Sequence, residues 1–150
     1  IYTSSHTLSL HDALPIYGGE GVTQDFAKAL HYYRLAVKQD ESSAINNLGL
    51  FYLEGKASVK QDYKEALRLF KLSSAAGNGL GSSNIGYMYE EAKGLNKDYK
   101  KAAEYYALAV EQGENEVLLD LARLYKAGGY GLAKNQELAE EYEAKWSDLQ

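Results

Sequence analysis

The amino-acid sequence predicts an all-α protein, an α-α solenoid built from two-helix repeats, and three observations carry that prediction. Four segments, "DFAKALHYYRLAVKQD", "DYKEALRLFKLSSAAG", "DYKKAAEYYALAVEQG" and "NQELAEEYEAKWSDLQ", align without gaps from Asp25, Asp62, Asp98 and Asn135, at spacings of 37, 36 and 37 residues. Between them a second element recurs in phase, "AINNLGLFYLEG" from Ala44, "SSNIGYMYEEAKG" from Ser82 and "LLDLARLYKAGG" from Leu118. Both elements carry apolar residues at helical spacing. Two helices in about 36 residues cannot bury both apolar stripes alone, so neighbouring units must stack.

Residues 1–16, "IYTSSHTLSLHDALPI", break this pattern. The register asks for a first short helix over residues 7–17, followed by the turn Gly18–Val22. Pro15, the only proline of the chain, stands where that helix should close, lacking an N–H and clashing with the preceding turn. Two readings are open: a foreign leader, or a degenerate first helix whose Leu8, Leu10 and Leu14 cover the end of the solenoid. The expected organisation is therefore a non-repeat leader over 1–16 and a solenoid over 17–150, with a partial first repeat and then repeats starting near 43, 80 and 116.

Each longer helix opens on Asp25, Asp62, Asp98 or Asn135, short side chains whose oxygen accepts an unpaired backbone N–H of the first turn. Asp62 with Glu65 matches a capping box. The apolar stripes are Ala66, Leu67, Phe70 and Ser74 in one longer helix, and Ala102, Ala103, Tyr106 and Val110 in the next. The shorter helices end in turns at Gly55, Gly94 and Gly128-Gly129, which supply the positive φ that helix C-termini favour. In their interiors Gly49, Gly86 and Ala122 follow a Leu or Ile and are expected to let the paired helix approach closely. In the last helix, Trp146 aligns with the small residues Ala36, Ser73 and Ala109. Its ring is expected to fold back over a stripe of Leu138, Tyr142, Trp146 and Leu149 as a lid on the solenoid.

Composition narrows the function. Hydrophobic residues make up 45% and charged residues 25% of 150 residues, an ordinary globular balance, and no apolar run is long enough to span a membrane. The leader lacks the basic start and long apolar centre of a signal peptide. Without cysteine there is no disulfide framework or thiolate metal site, and both cytosol and periplasm are compatible. A net charge of −5 argues against a nucleic-acid binder, which needs a basic stripe.

No catalytic, metal or cofactor constellation emerges. Ser9, His11 and Asp12 hold the letters of a hydrolase triad, but triads are assembled by tertiary geometry rather than adjacency. His6 and His11 are five apart, off the i, i+4 face of a helical zinc pair. "GNGLGSSNIG" from Gly77 looks like a phosphate-cradling loop, yet no lysine follows it and no strand precedes it, so it reads as an inter-repeat turn. His31 reads as a partly exposed packing residue beside Tyr32. Fourteen tyrosines, mostly in phase, read as core and inter-repeat contacts.

The pattern Leu-Gly-x-x-Tyr-x-x-Gly, then Asp-Tyr-x-x-Ala, then a closing Ala-x-x-x-Gly is carried by "LGLFYLEG…VKQDYKEALRLFKLSSAAG", "IGYMYEEAKGLNKDYKKAAEYYALAVEQG" and "LARLYKAGGYGLAKNQELAEEY". It resembles the Sel-one-like repeat family, relatives of the tetratricopeptide repeats, over residues 17–150. Ala92 in place of a turn glycine, a longer loop at Lys56-Ala57-Ser58 and Asn135 in place of the capping aspartate depart from the pattern.

That resemblance implies a right-handed α-α solenoid whose shorter helices line a concave wall. It also implies a non-catalytic scaffold or adaptor that binds a peptide or protein segment there, with no cofactor. Positions on the shorter helices outside the packing set are Asn46, Asn47, Leu50, Leu53, Asn84, Tyr87, Glu90, Asp120, Arg123 and Lys126, the candidate partner-binding face. Asn47 and Asn84 match a position where related repeats bond a bound peptide, and Leu50 and Tyr87 are the candidate apolar anchors. The alternatives are a structural spacer within a longer chain and, less supported by the residues, a hydrolase.

Overall fold

A computed structural model describes residues 26–37, 41–56 and 59–150. The described residues form seven α-helices: α1 (Phe26–Val37), α2 (Ser42–Glu54), α3 (Tyr63–Ala75), α4 (Gly79–Glu90), α5 (Tyr99–Glu111), α6 (Leu118–Ala127) and α7 (Gln136–Ser147). A 3-10 turn, Asn115–Val117, precedes α6. Among the described residues there is no β-strand, only an isolated bridge between Gly129 and Leu132. The leader, the expected helix over 7–17, the cap at Asp25 and the loop residues Ala57 and Ser58 lie outside the described residues.

The helices pair as the repeats require, α2 with α3, α4 with α5 and α6 with α7, and each second helix then meets the first helix of the next pair. The two helices of a pair are nearly equal in length, 13 and 13, 12 and 13, then 10 and 12 residues, so "shorter" and "longer" become first and second. The gain over the repeated strings comes at the start of the first helices. Asn78 accepts the Leu80 N–H at 3.0 Å and starts α4 at Gly79, three residues before the repeated string begins.

Three of the expected caps are made. Asp62 accepts from Glu65 N at 3.0 Å, Asp98 from Lys101 N at 2.9 Å and Asn135 from Leu138 N at 3.0 Å. The capping box is only half formed, because the Glu65 carboxylate turns to Arg68 in a two-bond fork at 2.7 and 2.8 Å. That fork holds the Glu65 carboxyl below its usual range. Gly55 and Gly128 adopt φ of 71 and 64° at the ends of α2 and α6, as helix-terminating turns demand, whereas α4 is ended by Ala92 at φ 54° and Gly94, at 69°, lies further along the same turn.

The small interior residues do what their position implies. A Cβ on Gly49 would lie 2.6 Å from the Phe70 ring, and one on Gly86 would lie 2.7 Å from the Tyr106 ring. Phe70 is fully buried, so its ring has nowhere to retreat. In "GNGLGSSNIG", Gly77 turns the chain at φ of 83°, and Gly79 and Gly81 allow close packing. A Cβ on Gly79 would meet Glu114 at 2.6 Å, and one on Gly81 would meet the Ser74 nitrogen at 2.7 Å, where α4 crosses α3.

The core runs as three consecutive clusters. One centres on Tyr33, Ile45, Leu48 and Phe51, the next on Phe70, Ile85 and Met88, and the last on Tyr106, Leu121 and Leu124. On the second helices the buried stripe is Ala66, Leu69, Phe70, Ser73 and Ser74, then Ala102, Ala103, Tyr106 and Ala109. Leu67 and Val110, expected in it, are half-buried, because these helices are covered by a helix on each side and the stripe turns accordingly. A polar seam stitches consecutive repeats: Ser82 donates to Gln112 Oε1 at 2.6 Å, Ser74 and Ser82 share a 2.6 Å bond, and Gln112 donates to the Ser74 carbonyl at 2.9 Å.

In α7 Tyr142 stacks on Tyr125 at 6.0 Å, while Trp146 is half-buried. The stripe expected to reach Leu149 stops short, because α7 ends at Ser147 and Leu149, 55% exposed, lies beyond it.

Candidate functional site

The first helices of consecutive repeats, α2 and α4, touch each other directly, and a cleft of ≈ 430 Å³ opens beside them. Its lining is Leu50, Leu53, Glu54, Gln61, Tyr63, Asn84, Tyr87 and Lys93. Leu50, Leu53, Asn84 and Tyr87 were singled out from sequence, and they sit together because residues 50, 53, 84 and 87 each lie three apart on adjoining helices. Tyr87 is 39% exposed, and Leu50 and Asn84 are half-buried. Sequence reasoning missed Glu54, Gln61, Tyr63 and Lys93. They come from the helix end and the turns, and the signal that could have found them is the shared turn register of Gly55 and Gly94. Gln61 ties its turn down by donating to the Leu53 carbonyl at 2.9 Å. Glu54 is ion-paired with Lys56.

Three of the ten sequence candidates are interior, contrary to the expectation of an open face. Asn46 is 2% exposed and accepts from Asn84 Nδ2 at 2.8 Å, so it serves as an inter-repeat bond. Leu53, 8% exposed, shows the cleft only its edge. Glu90 is 6% exposed: Tyr106 Oη donates to its Oε2 at 2.9 Å, and Arg123 pairs with its Oε1 at 2.6 Å. Arg123 also binds Asp120 at 2.9 Å, which draws both of those candidates into the same inter-repeat network. The Glu90 bond raises the Arg123 guanidinium further above its already high range, and burial, with the Glu90 charge second, pushes the Tyr106 phenol up. Lys126 reaches across to Glu143 of the paired helix at 2.5 Å. Asn47 is half-buried beside Asn46, whose amide lies 3.4 Å from its oxygen.

A second aromatic feature lies away from this cleft. Tyr130, 58% exposed with φ of 45°, meets Tyr99 edge-on at 4.8 Å, and the Lys97 ammonium lies over both rings. His31 is exposed and makes an edge contact with Tyr32 at 5.7 Å. Among the described residues no helix is long and apolar enough to cross a membrane.

The family model of the Sel1 repeat matches four times, over residues 16–41, 42–78, 80–114 and 116–149. The chain belongs to the Sel1 repeat family. Sel1 repeats are generally protein–protein interaction scaffolds. Among solved structures, a protective antigen of uropathogenic Escherichia coli strains with an SLR fold is 29% identical, with a TM-score of 0.78, covering 93% of this chain and 30% of the antigen. A Sel1 repeat protein from Oxalobacter formigenes is 25% identical with a TM-score of 0.80, covering 92% of this chain and 56% of that one. Helicobacter pylori cysteine rich protein B is 26% identical with a TM-score of 0.61, covering 87% and 93% respectively. The Sel1 array described here thus spans less than two thirds of the first two. No curated protein matches the chain.

Proposed function

We propose that this Sel1 array is a non-catalytic scaffold that holds an extended peptide or protein segment along the concave wall formed by its first helices. The observation that carries this reading is the cleft beside α2 and α4, where Leu50 and Tyr87 remain accessible while the neighbouring candidates are consumed by contacts between repeats. An accessible tyrosine beside an aliphatic residue in a concave site is the usual chemistry of an anchor pocket. Asn84 spends one amide hydrogen on Asn46. A side-chain amide has four hydrogen-bonding sites, so Asn84 keeps capacity for a backbone laid across it.

The test is selection of displayed random peptides on the immobilised protein, followed by titration of synthetic versions. Tyr87→Ala is expected to weaken a selected peptide by about 1 to 2 kcal/mol, as for a moderate hot spot, with an unchanged melting temperature. If no peptide is enriched, or if those enriched bind Tyr87→Ala equally well, the groove is not the binding surface and the array serves as a spacer or works elsewhere.

A further inference from the structure

Resting on that reading of the groove, we infer the chemistry of its occupant: an extended peptide segment that carries an apolar side chain close to an aspartate or glutamate. The apolar half follows from Leu50, Leu53, Tyr63 and Tyr87, which give the cleft walls that an aliphatic or aromatic side chain can cover.

The acidic half follows from charge. Two charged residues line the cleft, Glu54 and Lys93. Glu54 is neutralised by Lys56, whereas Lys93 has no ion-pair partner among the described residues. Among the described residues, the cleft lining therefore leaves one positive charge unpaired, on a chain whose net charge is −5. A carboxylate is the complementary group, and partial burial of Lys93 strengthens the attraction over that of a solvated pair.

The position of Lys93 is held by its backbone. Ala92 and Gly94 flank it at φ of 54 and 69°, and its own N–H bonds the Met88 carbonyl at 2.9 Å. Ala92 adopts a conformation that costs any residue with a Cβ, in the turn that carries the cation. Gly94 lets the turn press on the opposite wall, since a Cβ there would lie 2.4 Å from the Tyr63 Cβ. The site calls for a side-chain carboxylate rather than a chain terminus. The first helices adjoin beyond the cleft, since Arg123 of α6 pairs with Glu90 of α4, so a segment lying along them runs on past the cleft toward Asp120. It also calls for a single acidic residue rather than a run, because the next cation along the wall, Arg123, is already occupied by Glu90 and Asp120.

The experiment uses random peptides displayed between constant flanks, which removes free carboxyl termini, selected on the full chain in wild-type, Tyr87→Ala, Lys93→Glu and Lys93→Arg forms. Wild-type selection should enrich Leu, Ile or Phe next to or near Asp or Glu. By fluorescence anisotropy, an amidated synthetic peptide of that kind should bind Lys93→Glu about tenfold or more weakly and Lys93→Arg nearly as well as wild type. Peptides that depend on Tyr87 but show no acidic preference, or that ignore Lys93→Glu, would overturn the inference while leaving the groove in place. Binding that appears only when the synthetic peptide has a free C-terminal carboxylate would also overturn it. Absence of any Tyr87-dependent enrichment would overturn both readings together.

Discussion

One register position carries three chemistries at the residue scale: Leu53, Glu90 and Lys126 occupy the same place in successive repeats. Each lies four residues after Gly49, Gly86 or Ala122, hence on the face that meets the paired helix. Leu53 and Glu90 are consequently buried, and Lys126 reaches Glu143 of α7. The Leu-Gly-x-x-Tyr pattern does not include this position, although the next turn of the helix places it on the same buried face. Two outcomes follow. Glu90→Ala would strand the Tyr106 hydroxyl and leave Arg123 with Asp120 alone, and urea unfolding should show a loss of about 2 to 3 kcal/mol, short of a fully buried pair because Arg123 is half exposed. Burial, then the Glu90 charge, raises the Tyr106 phenol above its unfolded value. The folded state therefore keeps a proton that the unfolded chain releases above about pH 10, so stability falls as pH rises through that region. Tyr106→Phe should flatten the alkaline limb relative to wild type in melts taken across that range. An identical alkaline slope in both proteins would contradict the assignment.

The helix ends and the close helix approaches were legible at the element scale because each rests on one residue type with one physical use. Asp62, Asp98 and Asn135 cap, and Gly55 and Gly128 turn, because few residues satisfy those backbone demands, while α4 ends on Ala92 rather than on Gly94. The early start of α4 was not legible, since Asn78 lies inside a glycine-rich string whose local look is that of a loop. Nor was the stacking of Tyr142 on Tyr125, which exists only once α7 packs against α6. The pairing of α4 with α5 gives the sharpest test at this scale. A methyl on Gly86 would fall 2.7 Å from the Tyr106 ring and 3.2 Å from the Ala102 carbonyl. Gly86→Ala should cost about 1 to 3 kcal/mol of stability in denaturant melts, even though alanine normally favours a helix over glycine. A neutral or stabilising result would mean that the helices do not approach this closely.

At the scale of the whole molecule, three core clusters among the described residues, each shared between consecutive helices, are the signature of a solenoid. That architecture explains why repeat register disclosed the fold more completely than the site. Register assigns positions within helices, whereas half of the cleft comes from the helix end and the turns through Glu54, Gln61, Tyr63 and Lys93, whose convergence exists only after the units stack. The central claim is that a partner segment lies in this cleft, and the most direct measurement is the backbone NMR footprint of a selected peptide on the isotope-labelled chain. The account predicts shift changes centred on Leu50, Tyr63, Asn84, Tyr87 and Lys93, with α5 and the part of α3 beyond its first turn undisturbed. A footprint centred instead on Tyr99, Tyr130 and Lys97, or spread over the outer helices, would contradict it.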